Sequence, residues 1–195
     1  MNGRVIVAGL VAGIGMYVWS ALAHTALPLG EAGIQQIPNE QTILTPMQST
    51  LGSTSGMYVF PAMGTGTASE KMATYEKKLA TMPNGVLIYH PVGGAAMTAR
   101  PFIVEFLTEL AEAMLAVFLL SMVRLESFAA RVGFVAVIGV IAAIATNISY
   151  WNWYGFPVSY TLAYIVTQLV GFLVAGLIGA AMLRAAPRAT VAAAR

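Results

Sequence analysis

Four stretches of this sequence are each long and apolar enough to cross about 30 Å of hydrocarbon, and that leaves the chain few ways to fold. They run roughly over Val5–Ala26, Phe102–Val123, Val132–Tyr150 and Val158–Leu183. Inside lipid every backbone N–H and C=O needs a partner within the protein, so runs of this kind form helices. The composition agrees, with 58% hydrophobic and 9% charged residues, against about 25% charged in soluble domains. The expected fold is an all-α membrane protein, a four-transmembrane-helix bundle. Residues 1–26 hold the first helix, 27–100 a long outer segment, 101–184 the remaining three helices and 185–195 a tail.

Arginine placement sets the orientation. Arg4, Arg124, Arg131, Arg184, Arg188 and Arg195 all fall on one side of a four-span arrangement, which should be the cytoplasm. The expected topology is N-in and C-in, multi-pass in a bacterial inner membrane, with 27–100 in the periplasm. Trp151–Tyr154 reads as an uncharged outer turn. With Tyr17 and Trp19 it would form an outer aromatic belt. The first span resembles a signal peptide, with Ala21-Leu22-Ala23 near its end, but its apolar run exceeds the usual h-region of about 7–15 residues. It reads as a retained helix.

The second span carries the strongest functional clue. Glu105, Glu109 and Glu112 are spaced i, i+4, i+7 and so share one helical face. A charge at the bilayer centre costs from about 2.5 to above 10 kcal/mol. Such groups therefore face a bundle interior, a water-filled cavity or a partner chain. With a rise of about 1.5 Å per residue, Glu105 lies about 5 Å below the outer boundary, Glu109 about 11 Å and Glu112 about 15 Å. No Lys or Arg lies deep in any span to offset them. At least one should hold a proton, or a cation should be bound.

Other polar residues reach similar depths. On the fourth span Tyr160, Tyr164 and Gln168 share a face that continues as Gly171 and Ala175. On the first, Gly9, Gly13, Ser20 and His24 share a face, and Thr146 and Asn147 lie near the outer end of the third. The candidate proton, cation or partner-contact site is Glu105, Glu109, Glu112, Gln168, Tyr164 and His24. A lone histidine near a helix end would act as a ligand or relay, or simply hydrogen-bond at the interface. Gly9 and Gly13, and likewise Gly171, Ala175 and Gly179, are small-residue ridges for close helix contact, within the bundle or with another chain.

The outer segment has its own pattern. A helix is expected from Asn39 to Leu51, capped by Asn39 and weakened by Pro46, and a second over Ser69–Met82, stopped by Pro83-Asn84-Gly85. Met57–Phe60 and Val86–His90 look β-like. Methionines are frequent here, including Met47, Met57, Met63, Met72, Met82 and Met97, but no Met-x-Met or Met-x-x-Met cluster suggests copper, and packing is the better account.

Much is excluded. The chain has no cysteine, so disulfides, thiolate metal sites and cysteine nucleophiles are absent. It also has no aspartate, so its side-chain carboxylates are all glutamates. No P-loop, GxSxG, HExxH or zinc-ligand spacing occurs, and no cofactor is identified. A net charge of +2 does not suggest nucleic acid as a partner.

Three short motifs carry a family resemblance. They are Ala26-Leu27-Pro28, then Ser55-Gly56-Met57-Tyr58 followed by Pro61, then Trp151-Asn152-Trp153-Tyr154-Gly155-Phe156. They are similar to those of a group of small bacterial four-helix membrane proteins. The resemblance spans most of the chain and implies the four-helix topology. The group carries no activity to transfer, so it implies no site residues.

Three functional expectations follow. The first is an accessory subunit of a larger respiratory or photosynthetic membrane complex, with the lipid bilayer and other subunits as partners. The second is a proton-coupled or cation-handling membrane protein working as a homo-oligomer. The third, an enzyme acting on lipid, lacks an identifiable nucleophile or substrate.

Overall fold

The computed structural model describes residues 2–95 and 98–183. In chain order the elements are α1 (Gly3–Thr25), α2 (Gln41–Leu51), β1 (Gly56–Phe60), α3 (Ala68–Leu79), β2 (Gly85–Tyr89), α4 (Ala99–Met122), α5 (Phe128–Ala143), a π-helical turn (Ile144–Ile148), α6 (Ser149–Tyr154) and α7 (Val158–Met182). Contacts divide the chain into two units. One comprises Met1–Gly33, Thr98–Trp151 and Phe156–Arg195, the other Ile34–Met97 and Asn152–Gly155. The tail 185–195, Arg184 and Met97 lie outside the described residues.

Among the described residues, three helical segments are long and apolar enough to cross a membrane: Gly3–Thr25, Phe128–Tyr154 and Val158–Met182. The 24-residue α4 is long enough as well, but its glutamates set it apart from these three. The expected bounds shift by a few residues, most of all in the third span. There α5, the π-turn and α6 run on without a break through the Trp-Asn-Trp-Tyr segment. The expected turn at Trp151–Tyr154 is therefore helical. The break comes one residue later, at Gly155, whose φ of +68° is left-handed and closes the helix as only glycine does cheaply. Pro157 then starts α7 with the fixed φ of its ring.

In the first unit α1 packs along both α4 and α7, and α5 packs along α7. Lipid supplies no hydrophobic drive between helices, so close van der Waals contact must hold them, and small residues permit it. A Cβ at Gly13 would lie 2.7 Å from the Leu110 backbone, and one at Gly9 3.1 Å from that of Met114. On α7, a Cβ at Gly179 would meet Val117 at 3.0 Å, and one at Gly176 would meet the Val132 carbonyl at 3.2 Å. Gly171 faces Met16 and Trp19 at ordinary distance, and Ala175 is fully buried. The ridges predicted from sequence are thus turned inward. The apolar core they seal comprises Ala8, Ala12, Met16, Ala113, Ala116, Val117, Leu120, Val135, Phe172 and Ala175. Tyr17 packs edge-on against Phe106, and the Trp19 indole N–H donates to the Thr167 carbonyl at 2.8 Å, so both rings also make contacts within the bundle. Where α7 ends, the Arg131 guanidinium donates to the Leu183 carbonyl.

The second unit is not purely helical, which corrects the all-α expectation. β1 and β2 form an antiparallel pair with Met57 opposite Ile88 and Val59 opposite Val86. Both strands were visible as β-like runs, whereas their pairing spans a whole helix and was not. Asn39 does not cap α2 with its side chain. It adopts φ +52°, and its carbonyl accepts from the Thr42 backbone N–H at 3.0 Å and the Thr42 hydroxyl at 2.9 Å. The second helix starts earlier than expected and ends at Leu79, because Thr67 and Glu70 form a reciprocal capping box.

Two outcomes follow. Gly13→Val should destabilise the bundle by about 1–3 kcal/mol, the usual cost of overpacking, because the obstruction is backbone. Gly171→Ala, with its nearest neighbour at 3.6 Å, should be tolerated, and thermal unfolding in detergent would compare them. In the capping box, hydrogen bonds from the Thr67 backbone and then its hydroxyl hold the exposed Glu70 carboxyl below its ordinary value of 4.5. A lowered folded value means the cap is fully present above the unfolded value and is lost as pH falls through the folded one. Hydrogen exchange of the first α3 turn should accelerate in that acidic window, and Glu70→Gln should abolish the pH dependence.

Candidate functional site

The polar residues of the first unit gather at one end of the bundle, where α1 finishes and α4 begins. They line a cavity of about 230 Å³, room for several waters given a liquid volume of about 30 Å³ each. The six residues singled out from sequence, His24, Glu105, Glu109, Glu112, Tyr164 and Gln168, all line it. Gly171 lines it too, while Gly9, Gly13, Ala175 and Gly179 lie in the packed region.

Each wall follows from helix geometry. On α4, Phe106, Leu110 and Met114 turn toward α1, so the neighbouring stripe of Glu105, Thr108, Glu109 and Glu112 faces the cavity. Glu109 and Glu112 are half-buried and Glu105 is exposed. From α1 come Met16 at the floor, buried Ser20 within hydrogen-bonding reach of Glu109, and His24. The His24 Nδ1–H donates to the Ser20 carbonyl at 2.8 Å, an i−4 bond that leaves Nε2 as the free ring nitrogen.

The π-turn supplies Thr146 and Asn147. A single π-turn shifts the register of a helix locally and often occurs at functional sites. Here it holds Asn147, buried, beside exposed Thr146. The Asn147 side-chain amide donates to the Ala143 carbonyl at 3.0 Å and to Gln168 Oε1 at 2.9 Å. On α7, Tyr164 packs edge-on against His24 with ring centres 5.8 Å apart and stacks on Tyr160 at 4.3 Å. Tyr160 meets Phe156, and Phe156 stacks on Tyr150, so an aromatic column leads away from the cavity.

The balance of donors and acceptors decides the chemistry. Thr108, Thr146 and Thr167 each donate their hydroxyl hydrogen to the carbonyl four residues earlier, at 2.9, 3.0 and 2.9 Å. Their lone pairs are what remains for the cavity. Three carboxyls add further acceptors, and none of the lining residues is Lys or Arg. The cavity is rich in acceptors and short of fixed positive charge. Among the described residues no group of three His or acidic side chains is arranged to hold a metal ion.

Sequence reasoning missed Thr108, although it sits on the glutamate stripe at i+3 from Glu105. It also missed Thr167, Met16 and the pairing of Asn147 with Gln168. A larger hollow of about 670 Å³ beside residues 36–42 belongs to the second unit, but it is wide open and Glu40 is its one ionisable group.

Compared with protein-family models, functionally described proteins and solved structures, the chain matches none. The site is therefore read from its own residues.

The natural chain has no cysteine, so single cysteines can report on water access. Thr108→Cys should react readily with a membrane-impermeant thiol reagent, and Val117→Cys, fully buried in the core, should not. Equal protection of both would mean that the cavity is closed to water.

Proposed function

We propose that the chain is a four-span protein of the bacterial inner membrane, N-in and C-in, whose acidic cavity takes up protons or a small cation from the outer side. One observation carries this: side chains from four helical segments converge on a cavity holding three carboxyls and no fixed cation. Acceptors at bilayer depth need a proton or a positive ion to be tolerable.

The fourth span is supported by packing. α4 lies along α1 through Gly9 against Met114, Gly13 against Leu110 and Tyr17 against Phe106. If α1 crosses the membrane, α4 is carried across with it. Its glutamates are then on the side facing α5 and α7 rather than lipid, as intramembrane acids require. Glu109 and Glu112 are the proton-carrying groups in this reading, with Glu105, His24 and Tyr164 nearer the mouth. Four helices are few for a transporter, so the working unit would be a homo-oligomer.

The competing reading is an accessory subunit of a larger respiratory or photosynthetic complex. It draws on small size, a cap formed by the outer segment and the lack of a catalytic motif. Its other support was the small-residue faces, and these are spent inside the bundle.

In proteoliposomes, Glu112→Gln should reduce proton flux by about a hundredfold, the low end for a positioned proton-transfer group. Unchanged flux would remove Glu112 from the mechanism. Purification from native membranes in mild detergent should give the chain alone or with its own copies; a stoichiometric foreign subunit would favour the accessory role.

A further inference from the structure

Asn147 sits in the π-turn and is only 7% exposed. Its side-chain nitrogen serves two acceptors, the Ala143 carbonyl and Gln168 Oε1. An amide nitrogen has two hydrogens, so both are committed. The same contact settles Gln168. Its Oε1 accepts from Asn147, which leaves Nε2–H₂ as the uncommitted donor end of a side chain that lines the cavity.

The same cavity is lined by the acidic stripe. The titratable groups around the cavity are Glu105, Glu109 and Glu112 from α4, His24 from α1 and Tyr164 from α7. The π-turn brings Thr146 and Asn147, neither titratable. The three lining threonines have spent their hydrogens on their own helices. Gln168 thus keeps a neutral donor available at a cavity rich in acceptors, with its oxygen end held by Asn147.

We propose that Asn147 is a positioning residue that fixes Gln168 as a hydrogen-bond donor to the cavity carboxyls, and that this pair sets how readily they take up a proton. The inference rests on the proton-handling reading above and adds a specific determinant to it. A donor facing a carboxyl favours its ionised form, and an acceptor there favours its protonated form. Without Asn147, Gln168 is free to rotate its amide and present Oε1 instead. A buried amide pair in lipid is costly when half satisfied, which is why the π-turn, by burying Asn147 at this level, matters to the site.

The test is an infrared titration of the carboxylic C=O band of the full-length protein in lipid nanodiscs. Glu109→Gln and Glu112→Gln assign the band. Gln168→Leu should move the protonation midpoint upward by about one pH unit, a tenfold gain in proton affinity. Asn147→Leu should move it in the same direction, and the double variant should go no further than Gln168→Leu alone, because Asn147 acts through Gln168. A midpoint that Asn147→Leu leaves in place, or additive effects in the double variant, would overturn the proposal. If Asn147→Leu does not fold, the wild-type protein still decides. The NMR resonances of the Gln168 side-chain amide should follow pH with the midpoint of the infrared band, and resonances indifferent to pH would overturn it. If Glu109→Gln and Glu112→Gln both leave the band unchanged, the proton-handling reading fails, and this proposal falls with it for a distinguishable reason.

Discussion

The close approach of α1 to α4 and α7 is the contact on which the first unit depends. Helices in lipid gain nothing from hiding apolar surface from one another, so they associate where backbones can come near. Gly9 and Gly13 let α4 do so and Gly15 lets α7 do so at Val174 and Ile178, while Gly176 and Gly179 bring α7 close to α5 and α4. Toward the other end of the bundle the residues at comparable positions are larger: Tyr17 meets Phe106, and Trp19 reaches across to Thr167. Helices held tightly at one end and spaced by rings at the other leave room between them.

That geometry explains how the glutamates are accommodated. A stripe at i, i+4, i+7 on an isolated helix would face lipid at heavy cost. On α4 the face next to it is used up by α1, which turns the stripe toward α5 and α7. There the acids share a water-sized space with a buried serine hydroxyl and the Asn147–Gln168 amide pair. The proposed uptake of a proton or cation draws on this excess of acceptors over donors.

Much of this was legible in the residues. Apolar runs gave the membrane-length helices, and glutamate spacing gave a shared face, because both depend on helical period alone. Aligning depths by helical rise brought Gln168 level with Glu112, and the structure places both on one cavity. The π-turn was not legible, and neither was the hydrogen bond from Asn147 to Gln168, a tertiary contact between two helices. The hairpin of β1 and β2 escaped for a related reason, since pairing across an intervening helix leaves no local pattern. Trp151–Tyr154 misled because interfacial aromatics suggest a boundary, while the chain actually turns at Gly155, where the backbone needs a positive φ.

The two ends of the bundle also constrain mechanism. Below the cavity floor at Met16 the core is wholly apolar, from Ala12 and Ala116 to Val117, Leu120 and Phe172. Among the described residues this cluster offers no polar side chain. On the proposed proton-handling role, net transfer across it would require the tight end to loosen or a path between copies. Sensing or storing a proton would require neither. The helix contacts that shape the cavity would then be the ones that limit what it could do with a proton.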